Sequence, residues 1–119
     1  MAASAPILLA LDTAADTCSV ALLRGGELHE LTETVEHRHS ERIVPMIDAL
    51  LASAGAALAD CDAVAFGAGP GAFTGLRIAC GIAQGLAWGA GVTVMGIGNL
   101  EALAFAALTS HPGETVLCA

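Results

Sequence analysis

The chain contains no lysine and no tyrosine among its 119 residues, and each absence excludes something. Its fixed cations are Arg24, Arg38, Arg42 and Arg77, set against 12 acidic side chains for a net charge of −8. Binding a nucleic acid through its phosphates needs several clustered cations, so direct contact with nucleic acid is not expected. The missing lysine also rules out a Walker A phosphate loop, which requires one after its last glycine. Aromatic residues make up only 3% of a chain that is 55% hydrophobic, so Ala, Leu, Ile and Val must fill the core. The cysteines Cys18, Cys61, Cys80 and Cys118 form no CxxC pair and have no histidine at zinc-finger spacing, which predicts reduced, mostly buried thiols. No apolar run approaches the ~18 residues of a membrane span, and residues 1–6 lack the basic start of a signal peptide. A cytoplasmic protein without membrane contact is expected.

What is present reads as alternating strands and helices. Ile7 to Asp12 is a short apolar run, and strands at 18–23 and 27–35 follow, joined by Gly25-Gly26, a hairpin signal. Ser40 is placed to cap a helix reaching about Ala54, with Gly55 at its end. Ile43, Ile47, Leu50, Leu51 and Ala54 fall at helical spacing, with Pro45 inside the first turns. A strand at 63–66, a helix at 74–89, a strand at 92–95 and a helix at 99–108 complete the pattern. Residues 115–118 read as the start of another strand. Strand-helix-strand units imply parallel pairing under covering helices. The expected fold is α/β, a mixed five-stranded sheet with three helices. The order resembles the ribonuclease-H-like lobe of the actin and sugar kinase superfamily (ASKHA).

Residues 67–75 read Gly-Ala-Gly-Pro-Gly-Ala-Phe-Thr-Gly between a strand and a helix. The dinucleotide pattern GxGxxG fails, because Gly69 and Gly71 are followed by Thr74 where the third glycine should stand. Pro70 removes an amide donor. Two readings stay open: a tight turn needing unusual backbone angles, or amides that cradle an anion.

The stretch Gly69, Pro70, Gly71, Ala72, Phe73, Thr74, Gly75, Leu76, Arg77, Ile78 resembles the signature of the TsaB (YeaZ) family. Agreement continues through residues 81–87 and resumes at Asn99-Leu100-Glu101-Ala102. Residues 9–13 and 18–22 resemble the family's opening strands, and 39–47 its first helix. The resemblance implies that 1–119 are an amino-terminal ASKHA lobe, because family members run longer and carry a second lobe. It also implies a non-catalytic subunit that binds and activates TsaD, with TsaE in the same assembly. The product is N6-threonylcarbamoyladenosine at position 37 of tRNAs reading ANN codons. No catalytic residue, metal or cofactor is then expected in this chain, and no direct tRNA contact.

Rival chemistry is weighed on the residues. TsaD-like proteins hold a metal with two histidines four residues apart on the first helix. Here His39 is followed at that distance by Ile43, and His37 by Glu41, which opposes a metal-dependent peptidase. A small-molecule kinase lobe would hold phosphate at the end of the first strand. The Asp-x-Gly form is replaced by Asp12-Thr13-Ala14, without the glycine that permits close approach. Any nucleotide contact would involve Asp12, Thr13, Gly69, Gly71 and Thr74. Arg77 is expected either to pair with a carboxylate such as Glu101 or to meet a partner.

The second helix is apolar on nearly every side. Ile78, Ile82 and Leu86 form one row, Gly81, Gly85 and Gly89 another, and Ala79, Ala83 and Ala87 a third. A helix apolar all round should be buried all round, and one small lobe cannot cover it. The first helix is expected to offer Ile43, Met46, Ile47 and Leu50 beyond what the sheet consumes. The expected interface is therefore Ile43, Met46, Ile47, Leu50, Ile78, Gly81, Ile82, Gly85 and Leu86. The resemblance assigns it to TsaD, or to a homodimer through the same helices when TsaD is absent.

Overall fold

The computed structural model describes residues 6–110, so the expected strand at 115–118 lies outside the described residues. Of the strands β1 (Ile7–Asp12), β2 (Thr17–Arg24) and β3 (Glu27–Thr34), β2 lies between the other two and runs antiparallel to both. Gly25 turns the hairpin between β2 and β3 at φ +62°, a conformation open to glycine without a Cβ penalty. Helix α1 (His39–Ala54) and a short 3-10 turn lead to β4 (Ala63–Gly67). Then come α2 (Phe73–Ala90), β5 (Thr93–Ile97) and α3 (Asn99–Ser110). The sheet order is β3-β2-β1-β4-β5, with β4 parallel to both β1 and β5. This is the mixed five-stranded sheet with three helices that the sequence predicts.

Several boundaries differ for physical reasons. Helix α1 starts at His39 with Arg38 as its N-cap residue and no side-chain cap, so Ser40 sits inside the helix. The chain reverses sharply after β3, with Glu36 and His37 in the left-handed region at φ 39° and 72°. His39 then fixes the helix start through Nε2, 2.7 Å from the Ala15 carbonyl oxygen. At the far end Gly55 takes the left-handed cap as expected, at φ 65°. Helix α2 runs past Gly89 and ends on Gly91, at φ 70°.

The core lies on one face of the sheet. Leu9, Leu11, Val20, Leu22 and Val64 point into it from the strands, and Ala79, Ala83 and Ala87 from α2. Ile43, Met46, Ile47 and Leu50 are each at most 2% exposed, which corrects their assignment to a partner surface. Helix α1 packs on β2 and β3, and in a chain this poor in aromatics its long aliphatic row is needed to fill the space above them. Arg24 Nη2 donates to the Ala54 carbonyl oxygen at 2.6 Å, placing a cation at the negative end of α1. Arg42 grips Glu33 at 3.0 Å and ties α1 to β3. No helix among the described residues is long and apolar enough to cross a membrane.

Leu50→Ala is expected to lower the unfolding free energy by about 2–5 kcal/mol in urea titrations. Val44→Ala on the exposed side of the same helix should change it by less than about 0.5 kcal/mol. Equal effects would place the α1 row outside the core.

Candidate functional site

At the carboxyl end of β1 the chain makes a tight turn, and the glycine-rich loop after β4 closes over it. Asp12 Oδ1 accepts from the Ala14 amide at 2.8 Å. Thr13 is fully buried, and its hydroxyl donates to the carbonyl oxygen of Gly75. The Ala72 amide donates to the Ala14 carbonyl oxygen at 3.0 Å. From the other side Asn99, the first residue of α3, holds the loop twice. Its amide donates to Gly69 O at 2.7 Å, and its Nδ2 donates to Pro70 O at 2.9 Å.

The glycines are dictated by this packing. A Cβ on Gly71 would lie 2.7 Å from the Ala14 Cβ, and one on Gly67 would lie 2.8 Å from Asn99 Oδ1 and 3.0 Å from the Asp12 carboxyl group. A Cβ on Gly75 would drive into the main-chain carbonyl of Thr13. Gly69 instead is required by its backbone, at φ +106°.

Four of the five residues expected to touch a nucleotide, Asp12, Thr13, Gly69 and Gly71, are therefore brought together, but as a clasp. Asp12 and Thr13 are committed to main-chain partners, and the space beside Gly71 is taken by Ala14. Thr74 is exposed on the first turn of α2, where it lines a separate open cavity of about 390 Å³ with Thr13, Ala14 and His39. The nearby cavity on the other sheet face, about 330 Å³, is lined by Asp12 and Glu30 with Ser19, Thr32 and Asn99, and by no cation. A polyphosphate would meet two carboxylates there with nothing to offset them.

The other sites named from the sequence also take definite places. Among the described residues no group of three His, Cys, Asp or Glu side chains is arranged to hold a metal. Arg77 lies 5.2 Å from the centroid of the Phe73 ring; a cation over an aromatic face replaces the ion pair considered with Glu101. Burial, with Glu33 secondarily, pushes the Cys18 thiol up, and burial with Asp60 and Asp62 does the same for Cys61. Both remain protonated and unreactive near neutral pH.

The outer surface of α2 is the second candidate. Gly81, Gly85 and Gly89 have nothing within 4 Å of an added Cβ. Ile78, Ile82 and Leu86 flank them half-buried, and Ile82 and Leu86 pack partly on the core. Phe73 at 72% and Trp88 at 89% are the most exposed large hydrophobic residues among those described. Trp88 was not singled out from the sequence. The available signal was its rarity, as the only tryptophan in an aromatic-poor chain.

Residues 31–119 match the model of the family described as TsaD: tRNA N6-adenosine threonylcarbamoyltransferase. The tRNA threonylcarbamoyladenosine biosynthesis protein TsaB of Haemophilus influenzae is 53% identical over 94% of this chain and 48% of its own length. The protein of the same name from Escherichia coli is 43% identical over the same shares. The chain thus spans about half the length of the curated relatives it matches. Among solved structures, YeaZ from Pseudomonas aeruginosa superposes with a TM-score of 0.84 at 46% identity, over 90% of this chain and 50% of that one. RuvC of Thermus thermophilus shares the fold alone, at a TM-score of 0.56 and 16% identity over 92% of this chain and 72% of its own.

Two glycine substitutions separate the clasp from the open helix face. Gly75→Ala is expected to cost more than about 2 kcal/mol, because a main-chain carbonyl blocks the methyl group. Gly85→Ala should be neutral or stabilise by up to about 1 kcal/mol, since it adds helix propensity in open space. Thermal unfolding of the two variants reads the contrast directly, and similar melting temperatures would refute the clasp.

Proposed function

The chain belongs to the TsaB (YeaZ) family, and on that premise we propose that it is a non-catalytic partner subunit that binds and activates TsaD. Relatives in this family are named for tRNA threonylcarbamoyladenosine biosynthesis. The chain would supply the amino-terminal of two lobes. TsaD would carry out the transfer at adenosine 37 of tRNAs reading ANN codons, with TsaE joining the same assembly in the cytoplasm. This chain would contribute surface and orientation, and the tRNA would be held elsewhere, because four arginines against 12 acids make a poor phosphate-binding surface.

The observation that carries this reading is the outer surface of α2. It is apolar and carries the open row Gly81, Gly85 and Gly89, with Arg77 the sole charged residue in the helix. Glycines there let a second helix approach more closely than the usual 8–10 Å between axes. Ile78, Ile82 and Leu86, each half-buried, supply apolar area on the flank. The rival kinase lobe would use the loop after β4 for phosphate, and the loop is spent on Thr13, Ala14 and Asn99.

Ile82→Glu is expected to weaken binding to TsaD from the same organism at least about a hundredfold by titration calorimetry, roughly 2.7 kcal/mol. It should likewise remove the stimulation of threonylcarbamoyl transfer. Because Ile82 touches the core, Gly85→Glu in open space serves as the second variant. Wild-type affinity in both, with a normal circular dichroism spectrum, would overturn the reading.

A further inference from the structure

Between Asp62 and Glu101 the chain carries one charged residue, Arg77. The other arginines are engaged within the fold. Arg24 donates to the Ala54 carbonyl oxygen, Arg38 pairs with Glu41 and Arg42 with Glu33. Arg77 meets no carboxylate among the described residues. It is exposed on α2, over the Phe73 ring. A guanidinium stacked on a ring keeps its in-plane N–H donors available, and their fork matches a carboxylate.

Trp88 follows eleven residues later. Eleven steps along a helix return to within roughly 20° of the same side, with a rise of ~16 Å. Gly81 and Gln84 stand between, so the exposed positions 77, 81, 84 and 88 are spaced four, three and four. That is the spacing of a seam against one neighbouring helix. A Cβ on Gly81 or Gly85 would meet nothing within 4 Å, so the middle of the seam is low. Its far end is high, because the Trp88 indole stands in solvent beside a groove it lines with Gly81, Gln84 and Gly85. An indole left in water holds a large apolar area whose burial favours binding. Tryptophan and arginine are also among the residues most enriched where a few side chains dominate an interface.

We propose that Arg77 and Trp88 are the specificity determinants of this surface, each meeting a different feature of one helix of TsaD. Arg77 takes a carboxylate on that helix. Three turns away Trp88 closes over a small residue of the same helix, and a bulky aliphatic side chain between them settles over Gly81 and Gly85. The inference rests on the reading of α2 as the TsaD-binding face. Charge sets the direction of docking. In a chain of net charge −8, the one cation in this stretch fixes where a carboxylate can come, and the uncharged end at Trp88 leaves no second choice. Charge also selects the occupant. Helix α2 of a second copy has no carboxylate to offer, so pairing α2 with itself leaves Arg77 without an ion pair.

Titration calorimetry with TsaD from the same organism tests this. Trp88→Ala and Arg77→Gln should each weaken binding at least about tenfold, with melting temperatures nearly unchanged because both side chains are exposed. Trp88→Phe should recover part of the loss. Wild-type affinity should fall more steeply with added salt than that of Arg77→Gln, and Arg77→Lys should keep the wild-type dependence. Labelled with 5-fluorotryptophan, the chain gives one fluorine resonance, from its only tryptophan, and this should shift as TsaD is added. Wild-type affinity in Trp88→Ala or Arg77→Gln, while Ile82→Glu and Gly85→Glu abolish binding, would overturn this inference and leave the TsaD-binding face standing. Wild-type affinity in all four would overturn both. A resonance indifferent to TsaD that moves when the chain alone is concentrated would assign the surface to a second copy and overturn the inference as well.

Discussion

The start of α2 lies in direct contact with the turn after β1, main chain against main chain, and most of the architecture around the carboxyl ends of the parallel strands depends on it. The buried Thr13 hydroxyl satisfies the Gly75 carbonyl oxygen, and the Ala14 carbonyl oxygen takes the Ala72 amide. These contacts span about sixty positions in sequence, so they set where α2 begins and how closely it lies on the sheet. Asn99 repeats the device from α3 by holding the loop at Gly69 and Pro70. One loop thereby registers β1, α2 and α3 against each other. A buried polar group left unmade at such a joint would cost about 1–3 kcal/mol, and among the described residues every buried side-chain polar atom has a partner.

Once α2 is held this closely, its composition follows. Beneath it only small residues fit, and its buried row is Gly75, Ala79, Ala83 and Ala87. Above it the glycines at 81, 85 and 89 keep the helix thin on the outside as well. Helix α1 has the opposite character. It stands over β2 and β3 on Ile43, Met46, Ile47 and Leu50, and those long side chains do the filling that aromatics do elsewhere. The two helices share one sheet face and divide the work: α1 supplies volume to the core, and α2 supplies proximity.

The strands and helices were legible in the sequence because apolar spacing and glycine stops report local geometry directly. Gly25 and Gly55 performed as their positions predicted. Ser40 misled, since the chain turns on the left-handed Glu36 and His37, a conformation that no side-chain pattern announces. The family motif at 69–78 was legible as a motif, but its physical role was not. Whether a glycine leaves room for a ligand or for the protein's own backbone depends on a contact with Ala14 and Thr13, far away in sequence. The interface residues divided for a similar reason. Periodicity marks Ile43 and Ile78 alike as apolar helix positions, and only the tertiary arrangement reveals that one is consumed by the core.

The contact at Gly75 has an evolutionary consequence. A clash between two side chains can be relieved by shrinking either one, so a damaging change can be followed by a suppressor. Here the obstacle to any side chain at Gly75 is the carbonyl of Thr13, an atom that every amino acid carries. No replacement at position 13 can remove it. A lineage that loses this glycine can recover only by reverting or by moving the whole helix, which makes the position a one-way gate in sequence space.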